Sequence, residues 1–132
     1  MNAALQAKLT QLDRYAKELH GLLQRPVQTE WAEVVDRALE RLVQVIVECA
    51  ADAGDLWLEE HGKPLGQSAA SVFQNLRDAG ILNDPVYQRL REHVRARNQI
   101  VHNYDRVTGS TVRRNAERLS QDIPEIVRAL MT

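Results

Sequence analysis

The chain has 132 residues, 44% of them hydrophobic, with a net charge of −1 and a single cysteine. That length suits one domain, residues 1–132, with a core that needs no covalent staple, and one cysteine excludes an internal disulfide. Neither a signal peptide nor an apolar stretch of membrane-spanning length is evident, so the cytoplasm is the expected location.

Few Gly and Pro, with abundant Ala, Leu, Glu, Arg and Gln, favour helix over sheet. From about Asn2 to Gln24, Leu5, Leu9, Leu12, Ala16, Leu19 and Leu23 recur at steps of four and three, which predicts one amphipathic helix ending before Pro26. A long second helix is predicted from Thr29 to His61. Its apolar stripe reads Trp31, Val34/Val35, Ala38, Leu42, Val45, Cys49, Ala53 and Leu56, with Gly62 as C-terminal cap. Cys49 sits among apolar neighbours and reads as a small buried hydrophobe. Gly54 within this helix marks a kink or a close approach by a neighbour. After a GKPLG loop, Ser68 or Ser71 caps a short helix carrying Val72, Phe73 and Leu76, closed by Gly80.

A fourth helix opens at Asn83-Asp84-Pro85, with Asp84 as N-cap and Pro85 at the first helical position, and runs to about Val101. TGST then breaks the chain, and Ser110 or Thr111 starts a fifth helix with Val112, Ala116, Leu119, Ile123, Val127 and Leu130, bent at Pro124. The expected fold is therefore all-α: a bundle of four main helices plus one short one.

The near-neutral total charge conceals a segregation. Residues 28–62 hold nine acids and two bases, a balance of −7, whereas residues 87–118 hold eight Arg and three acids, a balance of +5. Charge runs are ordinarily solvated helix faces. An arginine excess in one stretch is also what a polyanion needs, and the acidic helix equally suits a basic partner.

Within that basic stretch lies RNQIVHNY, Arg97 to Tyr104. A permanent planar cation, a group that titrates near neutral pH and a phenol fall within about two turns of backbone. Leu90, Val94, Arg97 and Val101 share one face within about 60°, so Arg97 stands where the stripe calls for another Leu. A cation there must be paired or lie at an interface, unless it snorkels to solvent from the core edge. His102 lies five residues further on, about 140° away around an ideal helix, whereas Asn98 shares its face. Either the helix loosens after Val101 or one site draws its groups from two chains. His20, His61 and His93 lack such company and are expected at the surface. No spacing suggests a zinc site, so no metal is expected.

The R-x-x-x-x-H-x-Y run, the acid-bearing long helix, the short helix ending at RDAGIL and the following YDRV make the chain resemble HepT-like toxin ribonucleases of the HEPN superfamily, from about Val34 to Ile126. The resemblance implies a HEPN-type bundle that dimerises through the motif helix, with two motif helices meeting across a two-fold axis. It implies metal-independent RNA cleavage by attack of the ribose 2′-hydroxyl, with transfer RNA a reasonable substrate for a toxin. In that reading His102 serves as general base or acid, Arg97 stabilises charge on phosphorus, and Asn98 orients the phosphate or His102. Arg89, Arg91, Arg95, Arg113 and Arg114 are candidates for holding the RNA backbone. Asp52 has two readings: an acid that orients Arg97, as in similar sequences, or an ordinary surface carboxylate.

The resemblance further implies a minimal nucleotidyltransferase (MNT-type) antitoxin that transfers AMP from ATP to Tyr104 and so blocks the cleft. The chain itself lacks the Gly-Ser element and paired acids of such a transferase, so the antitoxin is a second protein, and no cofactor of the chain's own is expected. The rivals are a noncatalytic HEPN module binding a nucleotide or protein, and a purely structural bundle.

Overall fold

The computed structural model describes residues 1–25, 29–102 and 108–132, and among these it is entirely helical. The helices are α1 (Ala3–Gln24), α2 (Ala32–Glu60), α3 (Ala69–Asp78), α4 (Asp84–His102) and α5 (Gly109–Leu130), with a 3-10 turn at Thr29–Trp31 before α2.

The ends follow local chemistry. Asn2 caps α1, its Oδ1 accepting from Leu5 N at 2.8 Å. Ser68 caps α3 through a reciprocal box: its Oγ accepts from Ser71 N at 3.2 Å while Ser71 Oγ accepts from Ser68 N at 2.9 Å. Two expected starts move by a residue or more. Asn83, not Asp84, caps α4, since its Oδ1 accepts from Val86 N at 3.0 Å. Thr108, not Ser110 or Thr111, caps α5, its hydroxyl accepting from Thr111 N at 3.3 Å. In both cases several capping residues stand in a row, and the cap is the one just outside the first helical residue, Thr108 with its own backbone still extended. At the end of α2, Gly62 takes φ +64°, and Lys63 N donates back to Leu58 O at 2.9 Å, closing the helix as expected.

α2 is the axis of the molecule and contacts every other helix. Antiparallel α1 is tied to it by the Met1 amine on Glu60 at 3.3 Å and by Lys8 on Asp52 at 3.4 Å. α5 runs parallel to α2: Gly109 packs against Asp36, and Leu130 lines a small cavity with Trp57. α4 runs antiparallel to α5, with Arg89 and His93 opposite Glu125 and Asp122.

This central position changes the expected stripe on α2. Leu39, Val43, Ile46, Val47, Ala50, Trp57 and Leu58 are buried, Leu42 and Leu56 only partly, and Trp31 and Val34 are 58% and 57% exposed. A helix packed on several sides is apolar around most of its girth, and more than one stripe can be drawn on it. Gly54 serves close approach: an added Cβ would lie 2.7 Å from Val72 Cγ1, so α3 rests directly on the α2 backbone.

Candidate functional site

The second half of α4 carries the motif from Arg97 to His102. Leu90 and Val94 are buried and Val101 is 40% exposed, so the apolar stripe climbs from the core to the surface and Arg97 stands at the crossing. Its side chain is 27% exposed. Nη2 donates to Glu48 Oε1 on α2 at 2.9 Å, and Nη1 donates to Asn98 Oδ1 at 3.0 Å. Nε is buried without a hydrogen-bond partner. Each terminal nitrogen carries two N–H groups, so the braced guanidinium keeps donors in reserve for an incoming anion.

Asp52 is not the acid that holds Arg97. Its carboxylate is 61% exposed and lies 3.4 Å from Lys8 Nζ on α1. Glu48 and Asp52 share a face of α2, one turn apart, and the register of α4 sets Arg97 against the earlier of the two. Both acids nevertheless line one cleft of about 330 Å³ with Asp55, Gly66, Val72 and Arg97. Three carboxylates against one guanidinium make that cleft unfavourable to a polyanion.

α4 remains a regular helix through His102, which is exposed in its last turn. The helix thus extends one residue past Val101. Within one chain Arg97 and His102 therefore leave α4 on different faces. Asn98, half-buried, braces Arg97. Tyr104, the expected modification site, lies outside the described residues.

The basic residues separate into two groups. Arg89 is engaged within the fold: Nε donates to Asp122 at 3.0 Å and Nη2 to Glu125 at 2.8 Å. Two acids of α5 thus hold a side chain that is still 39% exposed. Arg91 lies over the Tyr87 ring at 5.8 Å and contacts Gln88 at 3.4 Å. Arg95 and Arg114 are exposed and Arg113 is half-buried, with its Nη2 buried and unbonded. Sequence reasoning missed Arg118, exposed one turn after Arg114, although i,i+4 spacing on a helix was the available signal. It also missed Glu48, which only the packing of α4 on α2 distinguishes from Asp52.

The other polar groups play no evident part in this site. His93 is buried, not at the surface, with Nε2 2.6 Å from Asp122 Oδ2. His61 is exposed and stacks on Trp57 with ring centroids 3.9 Å apart. Cys49 is buried as expected, and burial raises its thiol pKa, which opposes a nucleophilic role. Among the described residues, no three His, Cys, Asp or Glu side chains gather as a metal site, and no helix is long and apolar enough to cross a membrane.

A family model described as HepT-like ribonuclease matches residues 12–130. No curated protein matches the chain. Among solved structures, a tri-AMPylated HEPN toxin of Shewanella oneidensis in complex with an MNT antitoxin superposes with a TM-score of 0.87 at 18% identity, covering 99% of this chain and 98% of that one. A toxin–antitoxin with AMP-PNP gives 0.86 at 17% identity, with 98% and 99% covered. YutE of Bacillus subtilis, a cytosolic protein of unknown function, gives 0.78 at 15% identity, with 96% and 87% covered. At these identities the likeness is one of fold.

Proposed function

The chain belongs to the HepT-like ribonuclease family, and on that footing we propose that it is the toxin of a toxin–antitoxin pair, a metal-independent endoribonuclease silenced by AMP transfer to Tyr104. The observation that carries the reading is the bracing of Arg97. A guanidinium is held at a core edge by Glu48 and Asn98, on a helix that ends in an exposed His102, with Arg95, Arg113, Arg114 and Arg118 in the adjoining halves of α4 and α5. Among the described residues those four arginines make no ion pair.

The chemistry assigned to these groups is transesterification. The ribose 2′-oxygen attacks the adjacent phosphorus and loses its proton to a base, while the bond to the 5′-oxygen breaks and that oxygen gains a proton. The products are a cyclic phosphate and a 5′-hydroxyl. Arg97 meets the extra negative charge on phosphorus as it develops, and His102 moves a proton. Requirement for the 2′-hydroxyl restricts cleavage to RNA, with transfer RNA the first substrate to test.

Because α4 is helical through His102, a single chain turns Arg97 and His102 apart. A two-fold dimer through α4 brings one chain's Arg97 toward the other's His102, and the two His102 groups then supply base and acid. The Shewanella oneidensis structure, described as a tri-AMPylated toxin with an MNT antitoxin, supports assigning an AMP-transferring antitoxin as partner, with ATP as the donor. Bulk and phosphate charge placed two residues from His102 would block the groove.

The test is cleavage of RNA by purified protein with EDTA present, set against His102→Ala. Cleavage by the wild type alone supports the reading. Equal cleavage by both removes His102 from the chemistry, cleavage that EDTA abolishes points to a metal-dependent reaction, and cleavage by neither with or without EDTA leaves a noncatalytic binding module.

A further inference from the structure

The motif helix contains a second polar cluster that the proposed chemistry does not use. His93 is 5% exposed and Asp122 is 8% exposed, and Nε2 of the imidazole donates to Asp122 Oδ2 at 2.6 Å across the α4–α5 contact. Asp122 Oδ1 accepts from Arg89 Nε at 3.0 Å, and Arg89 Nη2 reaches Glu125 at 2.8 Å. Both carboxylate oxygens of Asp122 are thereby engaged, one by α4's imidazole and one by its guanidinium. It is also the only polar or charged side-chain pair among the described residues to be buried in this way.

A bundle does not need such a pair for stability. Replacing a buried ion pair by apolar side chains of similar volume is often neutral or stabilising. What a directional pair supplies is geometry. Apolar side chains tolerate a helix that slides or rolls by a fraction of a turn, whereas a hydrogen bond of 2.6 Å does not. His93 lies one helical turn before Arg97 on the same face, so the rotation fixed at His93 is inherited by Arg97.

We propose that His93 and Asp122 are positioning residues: their hydrogen bond sets the roll and register of α4 on α5, and thereby where Arg97 and Asn98 stand. The kinetic consequence rests on the ribonuclease reading above. The geometric consequence does not.

The experiment replaces both groups together, His93→Leu with Asp122→Leu, so that no unpaired buried charge remains. The double variant is expected to stay helical and melt no lower than the wild type. Its kcat on RNA should fall about tenfold to a hundredfold with KM little changed, the signature of a displaced catalytic group. Backbone amides of residues 96–102 should exchange faster with deuterium. His93→Gln keeps an N–H donor toward Asp122 and should restore kcat to within about threefold of wild type. A folded double variant with wild-type kcat and unchanged exchange overturns the proposal. So does a folded His93→Gln as impaired as the double variant, because the imidazole would then matter for more than its hydrogen bond. Should the double variant fail to fold, the His93→Gln comparison still decides. Should the wild type cleave no RNA, the ribonuclease reading fails, and the exchange of residues 96–102 judges this inference by itself.

Discussion

The Arg97 guanidinium reaches from α4 to α2 and donates to the Glu48 carboxylate at 2.9 Å, with both groups only partly covered. A pair exposed to this degree adds about 1 kcal/mol or less to stability. Its value lies in aim, since Glu48 and Asn98 together fix the plane of the fork. Glu48→Ala is therefore expected to lower kcat about tenfold to a hundredfold while thermal unfolding moves by only a few degrees. Parallel melting curves and RNA cleavage rates check this. A large loss of stability with little loss of rate would reverse the assignment.

Arg97→Lys tests the same geometry from the other side. Lysine keeps the charge but offers a single compact ammonium in place of a planar fork. It cannot hold Glu48, Asn98 and a phosphate in one plane. Cleavage should fall nearly as far as in Arg97→Ala, and both variants should retain the helical circular dichroism of the wild type. Recovery of most activity by Lys would show that charge alone suffices.

The helices were legible because leucine spacing and Gly or Pro punctuation act locally, and all five stand where the pattern put them to within a few residues. The part of the motif from Arg97 to His102 was legible for the same reason, since these residues share one helix. Glu48 was not: it and Asp52 are equivalent on the face of α2, and only the register between α2 and α4 separates them. His93 read as a surface histidine because its acid lies 29 residues away on α5. Trp31 and Val34 looked like core because an apolar stripe extends to the start of α2, yet they are 58% and 57% exposed. What escaped in each case was an inter-helix relation, which periodicity does not encode.

The contact between α2 and α3 gives a stability prediction independent of function. A methyl group at position 54 would stand 2.7 Å from Val72 Cγ1 and 2.9 Å from Leu76 Cδ1. Overpacking of this kind costs about 1–3 kcal/mol, against about 1 kcal/mol gained from alanine's helix propensity. Val72 is a short branched side chain with little room to turn away. Gly54→Ala should thus be net destabilising by about 1 kcal/mol. Denaturant melts measure this, and a more stable variant would mean that α3 shifts freely.

Arg95, Arg114 and Arg118 are exposed on α4 and α5 and belong to a different class from Arg97. Changing all three to Gln should raise KM for RNA and leave kcat nearly intact, because such contacts act on substrate and transition state alike. Each lost phosphate contact on a single strand should also flatten the plot of log affinity against log salt by about 0.7. Binding measured across a salt series on a catalytically dead His102→Ala background isolates this effect. An unchanged slope would place the RNA backbone elsewhere.

The proposed point of control is Tyr104, two residues after His102 in the sequence, and a bulky anionic group on its phenol would compete with an RNA phosphate for the motif. Incubation with the cognate nucleotidyltransferase and ATP should add mass in AMP units, and cleavage should decline in step with the modified fraction. Tyr104→Phe removes the oxygen that receives the nucleotide and keeps the ring. It should gain no mass, cleave RNA at close to the wild-type rate, and inhibit growth even when the antitoxin is present. Intact-protein mass spectrometry and growth curves read the two halves separately. Normal modification of Tyr104→Phe would move the acceptor to another side chain. Loss of cleavage by unmodified Tyr104→Phe would instead make the hydroxyl part of the chemistry, so that AMP transfer silences the toxin by consuming a catalytic group as well as by filling the groove.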